Sequence, residues 1–526
     1  MKRCLPLALL LAVSMPAVAA EWATGRVFLD RDGNGVADAG EPGLAGVKVS
    51  NGRDIVLTDA AGRYRLALRD NDTVFVIKPA DHALPRGADG LPRFWRHHRP
   101  AGSPPLRYGG MPASDARSAD FALRPGEPGA HEALEVLVFG DPQPKDRTEV
   151  GYYARDIVAP ILGRHPVRLG LSLGDIVHDD LSLYPAVNRA TARMGVPWLH
   201  AAGNHDLDFD AAGDADSLLS FRQVFGPDTF AWEEPEASFV VLDDVIYLPD
   251  ATPAYIGGLR EDQFAFLQSY LAGLPHARPL VIAAHIPFFD PVPGVETFRA
   301  RDRERLFELL AGFEEVLLLT AHGHVQRHHF HGPDDGWNGA VPLHEYNVGA
   351  ACGGWWGGPP DPAGIPDAMM SDGTPNGYAV LRIGDDGGYA LRWYAARAPD
   401  EPAIALHAPK VLRRGAWPAV PVVANVFMGV VGDRVEVRID GGEWWPMTHA
   451  VRPDPRLLAE NLIDDASDAL RGYDRLPQAT PSTHLWQFVL PTDLAAGGHE
   501  IEVRAFDRWR GQLRARTRYR LEEGAR

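Results

Sequence analysis

The sequence Gly203-Asn204-His205-Asp206 directly follows the apolar run Val196–Ala202. Four other apolar runs end in the same way, in short clusters of Asp, Gln or His: Asp141-Pro142-Gln143, Asp175-Ile176-Val177-His178, His285-Ile286-Pro287 and His322-Gly323-His324. In α/β proteins, ligand sites gather at the carboxyl ends of the strands. Because helical patterns such as Arg303–Gly312 alternate with these runs, the sequence predicts an α/β domain with a functional site at one edge of its sheets.

The regions on either side of this α/β stretch carry a different pattern. Both contain short alternating runs separated by Gly-, Asn- and Asp-rich turns, which is typical of antiparallel β domains. The stretches Arg124–Gly129 and Ala398–Pro402 are rich in Pro, Gly or charge and are typical of linkers. We therefore predict a signal peptide at 1–20, a β domain at 21–125, an α/β domain at 132–398 and a second β domain at 403–526.

The composition narrows the class of protein. Of the 526 residues, 45% are hydrophobic and 23% are charged, which is ordinary for a globular chain with packed cores. The formal net charge of −18 argues against binding of a nucleic-acid polymer or an anionic membrane, because both select a basic face. Beyond the N-terminal run Leu5–Val13, no stretch approaches the ~20 apolar residues that cross a bilayer. We expect no membrane span.

The N-terminus predicts export. Lys2-Arg3, the apolar run Leu5–Val13 and the small residues Ala17–Ala20 follow the order of a secretory signal peptide, with a buried N-terminal helix as the alternative. Cleavage after this segment would leave Cys352 as the one cysteine, so no disulfide could form within the chain. We expect a periplasmic or secreted protein.

One segment of the first β domain has the ligand spacing of a calcium loop. Residues 30–41 place oxygen-bearing side chains at positions 1, 3, 5, 9 and 12 of a twelve-residue frame, with Gly35 at position 6. No amphipathic helices flank the segment, so it is not an EF-hand. The alternative is an acidic turn, and either role is structural. The candidate calcium ligands are Asp30, Asp32, Asn34, Asp38 and Glu41.

The order and residue types of the five clusters resemble the calcineurin-like metallophosphoesterases, and the runs Val348–Gly358 and Asp372–Tyr378 resemble a bacterial subgroup with extra terminal β domains. The resemblance implies an α/β fold, a central β-sandwich flanked by helices (αββα), with β-sandwich-like domains at both ends. It also implies two divalent cations, Mn, Fe or Zn. By position, the ligands would be Asp141, Gln143 and His324 for the first metal, Asn204, His285 and His322 for the second, and Asp175 as the bridge.

Two positions depart from the commoner family motifs. Gln143 stands where His is usual, although a subgroup carries Asp-x-Gln, and a neutral amide is a poorer ligand than imidazole. The alternative is that Gln143 hydrogen-bonds substrate or water. Ala321, before His322, replaces a Gly, which is a small change. The family implies that a metal-bound hydroxide attacks phosphorus while His205 protonates the leaving oxygen, and Asp206 would orient that imidazole.

Three further side chains are predicted to contact substrate. His178 follows the bridging carboxylate, with a solvated loop as the alternative. Trp355 and Trp356 lie in a Gly-rich run, where they would form an aromatic wall for a base or sugar, or else pack the C-terminal region onto the core. Downstream, a polar strand is favoured over a third metal site for His328, His329 and His331.

These patterns predict an exported dinuclear-metal phosphoesterase that acts on a phosphorylated small molecule or cell-envelope compound. The motifs do not separate a monoester from a diester, but the Trp run and the terminal β domains favour a phosphodiester or pyrophosphate. The alternative from another class is a cell-surface or periplasmic binding protein with a degenerate metal centre. That alternative requires missing ligands, whereas every ligand position in this sequence is filled, with one Gln substitution.

Overall fold

The computed structural model describes residues 21–126, 133–401 and 403–524. The predicted signal peptide at 1–20 and parts of both predicted linkers lie outside these residues. In the part of the chain that the structure describes, no helix is both long enough and apolar enough to span a bilayer.

The N-terminal region forms two four-stranded sheets. Its strands are β1 (Glu21–Leu29), β2 (Lys48–Ser50), β3 (Ile55–Leu57), β4 (Arg63–Leu68), β5 (Asp72–Val76), β6 (His82–Ala83), β7 (Trp95–His98) and β8 (Phe121–Pro125). The sheet orders are β4-β1-β8-β6 and β3-β2-β5-β7. Along β4, buried and exposed residues alternate, because one face of the strand packs inward and the other faces solvent.

The central region contains two larger sheets. Its strands are β9 (Ala133–Phe139), β10 (Leu169–Leu173), β11 (Trp198–Ala201), β12 (Phe230–Glu233), β13 (Ser238–Val241), β14 (Val245–Tyr247), β15 (Tyr255–Gly257), β16 (Leu280–Ala283), β17 (Val316–Thr320), β18 (Arg327–His331), β19 (Leu343–Asn347), β20 (Gly377–Gly384) and β21 (Tyr389–Ala395). The sheet orders are β11-β10-β9-β20-β21 and β12-β13-β16-β17-β19-β18, and β14 pairs with β15.

The α-helices of the central region lie between its strands along the chain. They are α1 (Arg147–Tyr152), which continues through a π-helical turn into α2 (Ala159–Ile161), then α3 (Tyr184–Thr191), α4 (Leu219–Phe225), α5 (Glu261–Leu271) and α6 (Ala300–Leu310). Strands β10 and β16 are buried at every position, as expected where both faces of a sheet are covered. The predicted α/β fold with terminal β regions is confirmed.

The C-terminal region again forms two sheets, with one helix. Its elements are β22 (Ile404–His407), β23 (Val411–Arg413), β24 (Pro421–Val426), β25 (Val435–Ile439), β26 (Trp445–Pro446), β27 (Thr448–Pro453), α7 (Pro455–Asp465), β28 (Pro481–Val489), β29 (Gly497–Asp507) and β30 (Gly511–Glu522). The sheet orders are β22-β24-β28-β27 and β23-β30-β29-β25-β26. Most buried apolar residues of this region form a separate hydrophobic core, whereas its Phe427 and Met428 pack into the continuous core that the N-terminal and central regions share.

Candidate metal centre

Five loops of the central region meet where parallel strands end. Strands β9, β10 and β11 run parallel in one sheet, and β16 and β17 run parallel in the other. The loops after these strands carry all the predicted metal ligands: Asp141, Gln143, Asp175, Asn204, His285, His322 and His324. All seven are buried except His322, which is partly exposed. The prediction of a polar site at the carboxyl edge of the sheets is therefore confirmed.

The backbone of these loops is strained at the predicted ligands. Positive φ is unfavourable for residues with a Cβ and concentrates at functional sites. Five of the seven ligands adopt it, with φ of 40° at Asp141, 42° at Gln143, 49° at Asp175, 65° at His322 and 47° at His324. The surrounding structure holds these side chains inward at a cost to the backbone, which is an arrangement expected where function rather than packing decides the conformation.

Asp175 lies between the two predicted ligand sets. Its Oδ2 accepts a hydrogen bond of 3.1 Å from Gln143 Nε2, and its Oδ1 lies 3.4 Å from His285 Nε2. A Cβ on Gly203 would lie 2.2 Å from Asp175 Oδ1, so the glycine of this motif permits the close approach of the two loops. Burial raises the pKa of Asp175, but the charge of His285 more than offsets it, so the pKa is lowered and the carboxylate stays ionised.

The second ligand set converges on one point. His285 Nδ1 donates to the carbonyl oxygen of Leu173 at 2.7 Å, so Nε2 is the nitrogen that could bind a metal. That Nε2 lies 3.1 Å from Asn204 Oδ1 and 3.2 Å from His322 Nδ1. Burial lowers the pKa of His285, but the opposite effect of the Asp175 charge is larger, so the pKa is raised to about 10. The negative charge of Asp175 that raises this pKa would also attract a divalent cation.

The first ligand set contains an orphaned carboxylate oxygen. His324 Nδ1 donates to the carbonyl oxygen of Gly353 at 2.7 Å, and its Nε2 lies 3.5 Å from Asp141 Oδ1. Among the described residues, that buried Oδ1 has no hydrogen-bond partner. A buried carboxylate oxygen without a hydrogen bond is costly, and a bound cation would remove the cost. The side chains of both sets therefore fit two divalent cations.

The amide of Gln143 is placed differently from the other predicted ligands. Its Nε2 faces Asp175, and its Oε1 lies 3.6 Å from the Cys352 sulfur. An amide binds metal through oxygen, so ligation requires a rotation of the amide by about 180°. The role of Gln143 as a ligand stays a prediction.

The expectation that Asp206 orients the His205 imidazole is wrong. The Asp206 carboxylate is fully buried and accepts from the backbone N–H groups of Gly203 and Ile176 and from the Tyr184 hydroxyl. These bonds hold the loop rather than the imidazole. Burial and the nearby Asp175 raise the pKa of Asp206 to about 7.

The residue that orients His205 is Asp179. His205 Nδ1 donates to Asp179 Oδ1 at 2.7 Å, and the ring stacks on His178 with 4.3 Å between centroids. Burial lowers the pKa of His205, but the bond to Asp179 and the charge of Asp175 outweigh it, so the pKa is raised. The sequence analysis missed this pair because it joins two loops 26 residues apart. The acidic residue directly after His178 was the available signal.

The two tryptophans of the Gly-rich run differ. Trp355 is exposed and stacks on His324 with 4.6 Å between centroids, so it borders the candidate metal centre. Trp356 is buried, and its indole N–H donates to the Pro142 carbonyl oxygen at 3.1 Å. A substrate contact for Trp356 is therefore wrong. The same run contacts the C-terminal region, because the Gly358 N–H donates to the Asp474 carbonyl oxygen at 2.6 Å.

The loop at residues 30–41 satisfies its own carboxylates. Asp30 accepts from the N–H groups of Gly33 and Gly35, and Glu41 accepts from those of Arg31 and Asp38. Carboxylate oxygens of Asp30, Asp32 and Glu41 lie within 4.8 Å of one another. Calcium binding by this loop stays a prediction.

Parts of this chain are similar to a known protein family and to one of its relatives. A model of the N-terminal part of calcineurin-like phosphoesterases matches residues 31–106, and a model of their C-terminal part matches residues 345–512. A probable cyclic nucleotide phosphodiesterase from Rhodopseudomonas palustris is 29% identical over 197 residues, which are 36% of this chain and 65% of that protein. The match thus spans less than two thirds of the relative's length.

Two solved structures are similar to parts of this chain. A purple acid phosphatase from yellow lupin seeds is 12% identical, with a TM-score of 0.39 over 72% of this chain and 68% of that chain. A dimetal phosphatase from Danio rerio is 16% identical, with a TM-score of 0.33 over 50% of this chain and 100% of that chain.

Proposed function

This chain belongs to the calcineurin-like metallophosphoesterases, and from that premise we propose that it is an exported, dinuclear-metal phosphodiesterase. The observation that carries the proposal is the convergence of buried carboxylate, amide and imidazole groups around Asp175, with the orphaned oxygen of Asp141 among them. Such a set favours Mn, Fe or Zn over a hard cation such as Ca²⁺.

The proposed mechanism divides the work between the two ligand sets and His205. Two cations, when bound, supply positive charge for the phosphoryl oxygens and an activated water as nucleophile. Asp175 would be a ligand to both cations, because its Oδ2 lies beside Gln143 of the first set and its Oδ1 beside His285 of the second. The Nδ1–H groups of His285 and His324 are committed to carbonyl oxygens, so each ring presents its Nε2 inward.

His205 is proposed as the general acid. Asp179 accepts the Nδ1 proton, so the Nε2 of His205 is the atom left for the substrate. The raised pKa keeps the ring protonated nearer neutrality, where it can donate a proton to the leaving oxygen. His205 itself contacts Asp175 only through its backbone N–H, at 2.8 Å, so its side chain is free of the ligand sets.

The proposed substrate is a phosphodiester of a nucleotide-like small molecule or a cell-envelope compound. The exposed indole of Trp355 supports it, because an aromatic face beside the metal positions can stack on a base or sugar. The similarity to a probable cyclic nucleotide phosphodiesterase supports the same class. His178, half-buried beside His205, is the second proposed substrate contact.

Export is proposed from the sequence of residues 1–20. Expression in a Gram-negative host followed by fractionation tests it. The expected product is a periplasmic chain whose N-terminus is Ala20 or Glu21. A cytoplasmic chain that retains Met1 would contradict the proposal.

The proposed activity is tested by hydrolysis of a chromogenic phosphodiester and the matching monoester, with added Mn²⁺ or Zn²⁺ and with chelator. We expect faster turnover of the diester and loss of both activities in chelator. Faster turnover of the monoester would contradict the proposed phosphodiester class and indicate a phosphomonoesterase. No turnover of either ester by the fully metal-loaded protein would favour the alternative, a binding protein with a degenerate centre.

A further inference from the structure

A second group of histidines lies on β18 and the turn that follows it, and it includes none of the ligands described above. His329 and His331 are two residues apart on the strand, so their side chains share a face of the sheet. The short helical turn Pro333–Asp335 returns a carboxylate to that face. Asp335 Oδ2 lies 3.3 Å from His329 Nε2 and 3.6 Å from His331 Nδ1.

The tautomer of His331 is fixed by a buried carboxylate. Its Nε2 donates to Glu345 Oε2 at 2.7 Å, and both side chains are fully buried. The other oxygen of Glu345 accepts from the Phe288 N–H at 3.0 Å and the Thr320 hydroxyl at 2.7 Å. With its proton committed to Glu345, His331 carries a lone pair on Nδ1.

That lone pair lies on the side of the ring near Asp335 and makes no hydrogen bond among the described residues. Among the described residues, the buried Nδ1 of His331 has no hydrogen-bond partner, and its nearest charged neighbour is the acceptor oxygen of Asp335. The same oxygen of Asp335 accepts from the Gly332 N–H at 3.3 Å, and a cation between it and the His331 lone pair, a proton or a metal ion, removes the repulsion between these two acceptors. The same carboxylate–histidine arrangement is how proteins orient imidazole toward a bound metal.

We propose that His329, His331 and Asp335 form a third metal site, which binds a zinc-class divalent cation with water completing the coordination. Two atoms bound to a tetrahedral zinc ion at about 2.0–2.1 Å lie about 3.3 Å apart, close to the separations from Asp335. The side chains of His329 and Asp335 are 23% and 30% exposed, which leaves an open side for water.

His328, between these residues in sequence, belongs to a different environment. It lies on the opposite face of β18, where its ring stacks on Tyr346 with 4.5 Å between centroids and its Nδ1 lies 2.9 Å from His344 Nε2. Strand alternation thus separates the three histidines into a packing residue and two ligands. All three histidines lie on a polar strand, as the sequence predicts, and the proposed site adds a ligand role for His329 and His331.

The test counts bound ions. Metal-free full-length chain is titrated with Zn²⁺, and separately with Co²⁺, by equilibrium dialysis and elemental analysis. His329→Ala and Asp335→Asn are compared with the unsubstituted chain, and Asp334→Asn serves as the matched control because that neighbouring aspartate is exposed. We expect one equivalent fewer per chain in the first two variants and no loss in the control, with circular dichroism unchanged.

An equal ion count in all four proteins overturns the proposal, as does a loss of the same size in Asp334→Asn. Because Asp335→Asn keeps the side-chain volume at a partly exposed position, its ion count is informative even if His329→Ala folds poorly. The difference in count does not depend on hydrolysis, so the third site and the proposed phosphodiesterase activity succeed or fail separately.

Discussion

The candidate metal centre and the acidic loop at residues 30–41 both contain carboxylates that could bind cations, but these carboxylates differ in their hydrogen bonding. In the loop, the carboxylates of Asp30 and Glu41 accept backbone N–H groups, so the loop can hold its shape on its own bonds. In the centre, Asp141 keeps a buried oxygen without a hydrogen bond among the described residues, on a strained backbone. Oxygen ligands alone do not mark a functional cation site. A functional cation site is indicated when a buried oxygen lacks a hydrogen bond and a strained backbone holds it in place.

The largest expected effect follows from removing the charge that joins the two ligand sets. We expect Asp175→Asn to lose bound metal and to lower phosphodiester turnover by roughly 10³-fold, because both cation positions lose a shared carboxylate. Elemental analysis after dialysis and the chromogenic assay measure the two effects. Asp180→Asn, in the same loop, should keep both ions. Full metal content in Asp175→Asn would show that Asp175 is not a shared metal ligand.

Next in size is the loss of the general acid. We expect His205→Asn to lower turnover by about 10²-fold while bound metal is unchanged, because only the backbone N–H of His205 contacts a ligand. The penalty should shrink for a nitrophenolate leaving group, which needs little protonation. If the variant lost an equivalent of metal, the assignment of His205 as an acid rather than a ligand would be wrong.

A smaller effect is expected at Gln143, the one predicted ligand whose amide nitrogen faces Asp175. Imidazole is a better donor than an amide, so we expect Gln143→His to bind Zn²⁺ about tenfold more tightly at the first position. Titrations of metal-free wild type, Gln143→His and Gln143→Ala provide the comparison. The same affinity in all three proteins would remove Gln143 from the ligand set and favour a hydrogen bond to substrate or water.

The smallest expected effect is that of calcium on the self-satisfied loop. A ligand that binds only the native state stabilises it by about 2.7 kcal/mol at one hundred times its Kd, so we expect millimolar Ca²⁺ to raise the unfolding midpoint of the N-terminal region by a few degrees. Calorimetry of the metal-loaded full chain measures it. Asp32→Ala should abolish the shift, whereas Asp70→Ala, outside the loop, should retain it. Identical midpoints with and without Ca²⁺ would sink the idea.

Much of the fold and site could be predicted from the sequence, because apolar runs ending in polar clusters report directly on strands and their carboxyl ends. The run Leu169–Leu173 is β10 itself, and the cluster after it supplies Asp175. Contacts between loops could not be predicted, because they depend on how distant segments meet. The pairing of Asp179 with His205 and the inward turn of Trp356 belong to this class.

The hydrogen bonds of β9 have a consequence for the order in which the protein is assembled. β9, which leads into Asp141, is flanked in its sheet by β10 and by β20, and β20 lies more than two hundred residues further along the chain. Contacts of such long sequence separation form slowly and late. Most of the polypeptide must therefore be synthesised before Asp141 is fixed in place.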